Sequence, residues 1–243
     1  RTTFNAVGNN LLSEKWASDL LRLNKSFIID RSDKSKRDIY KSLNLASEFI
    51  FNTIVNNNES IWIAQKQGRS KDGIDFTDPS VLKMIHLNGR KKQPLSIYLN
   101  NLNVVPISIS YEKDPNDIVK ARELYLTDLN SFYKKEDGED LNNIAEGIKG
   151  QKGNVSLSIG EVMYFENDSY ENAAQLITEK IRDQYLCHST NYAANIIKGK
   201  NIKSNKFNED DIDQAITFLK KRLDSIPEEL HSYLIDQYSN PAV

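Results

Sequence analysis

Apolar residues in this chain switch between two periods, and the switches lay out helices alternating with short strands. The clearest helical stretch carries Ile39, Leu43, Ala46, Ile50 and Ile54, with Asp33 as its expected cap and residues 56–58, all Asn, as its stop. An earlier helix starts at Ser13 and Glu14, repeats Trp16, Leu20 and Leu23, and stops at Asn24. Further helices are expected after Asp78-Pro79, over residues 94–102, and after Asp114-Pro115 through Ile118, Val119, Arg122 and Leu124. Asp168-Ser169 caps one carrying Ala173, Leu176, Ile177, Ile181 and Tyr185, and Asn208 and Ser225 are the expected caps for helices over 209–223 and 227–238. Strands are expected at 27–29, 61–64 and 104–111, with Pro106 at an edge or near the strand start, and at 154–160, where alternation implies one wetter face. The polar, glycine-bearing run 134–153 is expected to be a long loop.

Strands separated by helices predict an α/β fold: a mixed, largely parallel sheet flanked by helices, over residues 1–186, with a helical C-terminal extension over 187–243. In such a sheet ligands gather beyond the carboxyl ends of the strands. Three strands end there in polar groups. Strand 27–29 delivers Arg31, strand 61–64 delivers Lys66, Gly68, Arg69, Ser70 and Lys71, and strand 104–111 carries Pro106 and ends near Tyr111 and Glu112. Residues 60–73 are the richest of these: three cations and two glycines, Gly68 and Gly73, fall within 66–73. An Arg presents a planar fork of donors and a Gly lets backbone approach closely, so the loop suits a phosphate or a carboxylate. A solvated basic loop is the plainer alternative.

Composition narrows the partners. The 243 residues carry a net charge of −2, so no global basic field attracts nucleic acid. A local patch of Lys66, Arg69, Lys71, Arg90, Lys91 and Lys92, with Trp62 and Tyr98 for stacking, is the nucleic-acid alternative, and the acidic balance weighs against it. The single cysteine, Cys187, rules out an intrachain disulfide and fits a reducing compartment. Three histidines and one cysteine without ligand spacing give metal binding no support. Mean hydropathy is −0.58, and no apolar run approaches the length of a membrane span.

Several blocks, in order, resemble the glycerolipid acyltransferase family. Phe27-Ile28-Ile29-Asp30-Arg31-Ser32 resembles its second block, Phe-Phe-Ile-Arg-Arg-Ser. Gly68-Arg69-Ser70 resembles the end of its third, Phe-Pro-Glu-Gly-Thr-Arg-Ser, and Trp62-Ile63-Ala64-Gln65 followed by Gly68-Arg69 is similar to that block in a bacterial subgroup. Val104-Val105-Pro106-Ile107 resembles the fourth block, and 155–162 the strand that closes the core. The resemblance runs from about Ala6 to Arg182. It implies transfer of a fatty acyl chain from a thioester, on coenzyme A or acyl carrier protein, to a hydroxyl of glycerol 3-phosphate or lysophosphatidic acid. Arg31 and Arg69 would hold the acceptor phosphate, and Lys66, Gly68, Ser70, Lys71 and Pro106 complete the expected substrate site. No cofactor beyond the thioester co-substrate is implied. A lipid acceptor and product imply peripheral attachment on the cytoplasmic face of the cell membrane, with the 94–102 helix and the C-terminal helices as candidate contact surfaces.

The departures from the family pattern are specific. Its first block, His-x-x-x-x-Asp, supplies the general base and is missing before the second block, so the catalytic pair is expected upstream of Arg1. Aligned on Arg69-Ser70, the third-block Glu falls on Lys66 and the Pro on Gln65, and the first arginine of the second block is Asp30. His231 and Asp236 match the catalytic spacing, but they follow the other blocks and sit in an expected helix, where five residues rotate side chains about 140° apart. His86, His188 and Cys187 are expected to be packing or surface residues. No catalytic residue is therefore assigned within the chain. The alternative function is a non-catalytic lipid- or phosphate-binding protein on the same scaffold.

Overall fold

The computed structural model of the protein describes residues 2–8, 15–29 and 35–242. The chain divides into two compact units, both discontinuous in sequence: Arg1–Gly68, Phe76–Pro106 and Gly160–Lys180 form the first, and Arg69–Asp75, Ile107–Ile159 and Ile181–Val243 the second.

The first unit is built on a three-stranded parallel sheet in the order β2-β1-β3, from β1 (Phe4–Gly8), β2 (Ser26–Ile29) and β3 (Ile61–Trp62). Its central strand, β1, has no counterpart in the sequence-based expectation, and β3 is two residues long where four were expected. Helices α1 (Lys15–Leu23), α2 (Lys36–Phe51), α3 (Pro79–Ile85), α4 (Leu95–Leu102) and most of α7 (Tyr170–Asp183) complete the unit. Phe49 of α2 packs on Phe4 of β1 and Phe27 of β2, at 5.8 and 4.9 Å between ring centroids. The expected cap Asp33 lies outside the described residues. Ser35 caps α2 instead: its hydroxyl accepts from Asp38 N at 3.2 Å and donates to the Asp38 carboxylate at 2.6 Å. Asp78 caps α3 as expected, accepting from Ser80 N at 2.7 Å with Pro79 at the first helical position. The core is Ile50, Leu82, Met84, Leu95, Tyr98, Leu99 and Ala174. Buried Ser47 is satisfied within it, donating to Ile85 O and accepting from Asn88 N.

The second unit holds a two-stranded antiparallel sheet of β4 (Ile107–Tyr111) and β5 (Val155–Ile159). It also holds α5 (Asp117–Asn130), α6 (Glu139–Lys149), α8 (Ser189–Ile197), α9 (Glu209–Leu223) and α10 (His231–Ser239). Strand β4 was expected to end with the others in one largely parallel sheet; it pairs antiparallel with β5 instead. The wetter face of β4 turns inward. Ser108 and Ser110 are buried while Ile109, Tyr111, Val155, Leu157 and Ile159 are exposed, and the inward serine is satisfied because Ser110 Oγ donates to Leu186 O at 2.7 Å. Helix α6 replaces part of the expected loop, with Glu139 and Asp140 in its first turn and Lys149 in its last, the polarity that the helix dipole favours. Asn208 caps α9 through a reciprocal bond pair with Asp211. Ser225 caps no helix: its hydroxyl donates to Arg222 O, and a 3-10 turn, Glu228–Leu230, leads into α10. Ala121, Ala193, Leu219, Leu234, Ile235 and Tyr238 form the core. Among the described residues no helix is long and apolar enough to cross a membrane.

Candidate anion-binding site

The chain leaves β3 at Trp62 into a run of bends, anchored first within the parallel-sheet unit. Gln65 O accepts from Asp78 N at 2.9 Å, and Gln65 Oε1 accepts from Thr77 Oγ1 at 2.9 Å. The Lys66 ammonium lies over the Phe76 ring, 4.4 Å from its centroid. Gly68 takes φ +82°, where a side chain is strained, although the space around it is open.

From Arg69 onward the loop belongs to the second unit, and Glu123 of α5 organises it. Lys71 Nζ donates to Glu123 Oε1 at 2.7 Å, and Arg69 Nη2 meets Oε2 at 3.4 Å. The Glu123 side chain is 6% exposed and those of Arg69 and Lys71 are 30% and 27% exposed. A nearly buried carboxylate without cations would be costly, so the pairing explains why both basic residues turn toward α5. Two cations on one carboxylate leave a positive excess. The long Arg69 contact leaves most of a five-donor fork for an incoming oxyanion. Farther along, Asp72 O accepts from Asn240 Nδ2 at 2.7 Å, and Gly73, at φ +75°, lies so close to α10 that a Cβ would run into the Gln237 carbonyl.

Of the expected substrate residues, Arg69 and Lys71 are brought together, with half-buried Ser70 between them. Lys66, Gly68 and Pro106 belong to the first unit. Pro106 is buried, and its carbonyl accepts from Gly160 N at 2.9 Å. Arg31 lies outside the described residues.

The three histidines are held in local bonds. Buried His86 accepts from the Tyr170 hydroxyl at Nδ1 (2.9 Å) and donates from Nε2 to Gln93 O (3.1 Å). Burial holds its pKa below the ordinary value. His188 Nε2 lies 3.1 Å from Ser110 Oγ, but that hydroxyl donates to Leu186 O, so the pair is not poised as nucleophile and base. His231 Nε2 donates to Leu223 O and Ile226 O, while Asp236 pairs with Lys198, so the two residues at catalytic spacing have separate partners. Burial raises the Cys187 thiol, which faces Pro241 O. Among the described residues no group of His, Cys, Asp and Glu could hold a metal ion.

The chain matches no family model, no curated protein and no solved structure.

Glu123 is the site residue that sequence reasoning missed. Its signal was weak but present: a carboxylate between Ala121 and Leu124, on a helix with an apolar face, needs a cation if that face is buried. What the loop can do chemically is hold an oxyanion at Arg69 and Lys71. It contains no histidine, and Glu123 is committed to the two cations.

Proposed function

We propose that the chain is the acceptor-binding part of an O-acyltransferase that moves a fatty acyl group from a thioester to a hydroxyl of glycerol 3-phosphate or lysophosphatidic acid. One observation carries the reading. Strands β2 and β3 both run parallel to β1, on either side of it; β2 ends beside Gly8 and β3 beside Asn5, so the chain leaves both strands in the same direction, from β3 three residues earlier along β1. The second-block resemblance runs through β2 and the third begins at β3, so both blocks start on parallel strands of one small α/β sheet, a kind of sheet that gathers ligands beyond the carboxyl ends of its strands.

In this proposal Arg69 and Lys71 bind the acceptor phosphate. The reaction forms a bond from the acceptor oxygen to the acyl carbon and breaks the carbon–sulfur bond, and the hydroxyl proton ends on the departing thiol. Holding the acceptor lowers the barrier by fixing the attacking oxygen. All three histidines are engaged in local hydrogen bonds. That observation also favours a second reading, a phosphate- or lipid-binding protein on the same scaffold without transfer activity.

The test is an acyl-transfer assay on the product of the full reading frame, with acyl-coenzyme A and, in separate arms, glycerol 3-phosphate and its 1-acyl derivative. Transfer to one acceptor is expected, with Arg69→Ala raising the acceptor KM about tenfold or more at nearly unchanged kcat. Binding of either acceptor without transfer leaves the second reading. An unchanged KM removes the loop as the phosphate site. Peripheral attachment is part of the proposal, because a lysophosphatidic acid acceptor and the acylated product are lipids, and protein that does not float with anionic vesicles removes it.

A further inference from the structure

The turn that follows α3 displays Arg90, Lys91 and Lys92 in succession, all exposed, on the rim of a shallow basin of about 450 Å³ in the parallel-sheet unit. The turn is fixed by its own bonds. Gly89 N and Arg90 N donate to His86 O, Lys92 N donates to Gly89 O at 2.7 Å, and His86 Nε2 reaches across to Gln93 O. Gly89 packs against the Tyr98 ring so closely that a Cβ would collide with it, which sets the path of the three basic residues. Beneath them Tyr170 donates to His86 and forms the floor.

Charge distinguishes this basin from the loop at Arg69. There a buried carboxylate answers the cations. Here, among the described residues, no carboxylate stands within ion-pair distance of Arg90, Lys91 or Lys92. The one acid in the lining, Asp168, is held by Ser96, accepting from its amide at 2.9 Å and its hydroxyl at 2.8 Å. Nearby Lys83 pairs with Glu171. Both nitrogens of His86 are occupied, by Tyr170 and Gln93, so the ring offers no competing acceptor. The guanidinium of Arg90 rests 5.8 Å from the centroid of Tyr40, which limits its motion. Three adjacent cations on a rigid turn, above a tyrosine floor, form a concave site for a compact anion of high charge.

We infer that the basin bounded by Arg90, Lys91 and Lys92 binds a phosphate-bearing group, either a free or nucleotide-borne diphosphate or the headgroup of an anionic lipid. This does not rest on the acyl-transfer reading, because the basin shares no residue with the Arg69 loop.

The experiment measures binding of three probes to the unaltered protein at low salt: inorganic pyrophosphate and adenosine 5′-diphosphate by calorimetry, and phosphatidic acid vesicles by co-sedimentation. Binding of either soluble probe identifies a free or nucleotide source, and binding of vesicles alone identifies a lipid headgroup; both support the site. The variant R90Q/K91Q/K92Q, changed only at exposed positions, is expected to lose affinity for the bound probe about tenfold or more with an unaltered circular dichroism melt. Arg69→Ala is expected to change that affinity less than about twofold. No binding of any probe, or equal affinity in the triple variant, overturns the inference. Equal loss in Arg69→Ala assigns the binding to the loop and overturns it as well.

Discussion

Asp117 is the residue with most at stake in the helical unit. It is fully buried at the start of α5, and Arg222 donates to both of its carboxylate oxygens. Tyr238 adds a hydrogen bond at 2.8 Å, and Asp114 N donates to the same tyrosine oxygen. Removing the charge leaves a largely buried guanidinium unpaired, whereas removing the phenol hydroxyl leaves the ion pair intact. Asp117→Asn is therefore expected to lower unfolding free energy by roughly 3 kcal/mol and Tyr238→Phe by about 1 kcal/mol, read from urea midpoints at constant slope. Equal losses would mean that the phenol, not the pair, organises the cluster. None of this was legible in the sequence. Asp117, Arg222 and Tyr238 come from three helices, and no spacing rule links residues so far apart.

At the level of elements, legibility followed how local the determining interaction is. The helix over 39–54, the Asp78-Pro79 start and the Asn208 cap were all readable, because period and capping act within a few residues. Strand β1 was not. Phe4-Asn5-Ala6-Val7-Gly8 lacks a strong alternation and becomes a strand through neighbours on both sides. Helix α6 was missed because Gly138, Gly147 and Gly150 punctuate a polar run whose apolar positions, Leu141, Ile144 and Ile148, are few. In the candidate site the cations were legible from the loop itself, while Glu123 left only a weak signal on its helix, and its pairing with them depends on folding. Gly73 makes the sharpest test of that loop. Its positive φ and its closeness to the Gln237 carbonyl both exclude a side chain, so Gly73→Ala is expected to cost roughly 1–3 kcal/mol. It should also raise the acceptor KM, by shifting Arg69 and Lys71. A variant with unchanged stability and KM would mean that the loop moves without consequence.

For the whole molecule, stability should depend on pH through His86. Its folded pKa lies below the ordinary 6.5, with desolvation the largest cause, Gln93 O and Asp168 pulling upward and Arg90 downward. The unfolded chain therefore binds more protons than the folded one as pH drops through 6.5, and stability falls with it. This contribution is fully present above about pH 7.5 and declines below about 6.5. Melting temperatures at pH 7.5 and 5.5 should differ more in the unaltered protein than in His86→Gln, which carries no titrating ring. Equal differences would show that other groups set the dependence. The α/β class and the two outer strands of the parallel sheet were legible from alternating periods, but its central strand was not. The division into two discontinuous units was not, because it depends on which distant segments pack together.

The contact between the Arg69 loop and the end of the chain bears on how the protein is made. Asp72 and Asn240, which follows α10 directly, are 168 positions apart, and Gly73 meets Gln237 within that helix. On a ribosome the loop would emerge well before residues 237–240 and stay without these supports until they have left the tunnel. Its final geometry is thus set only after residue 240 has emerged, and contacts this distant in sequence close slowly.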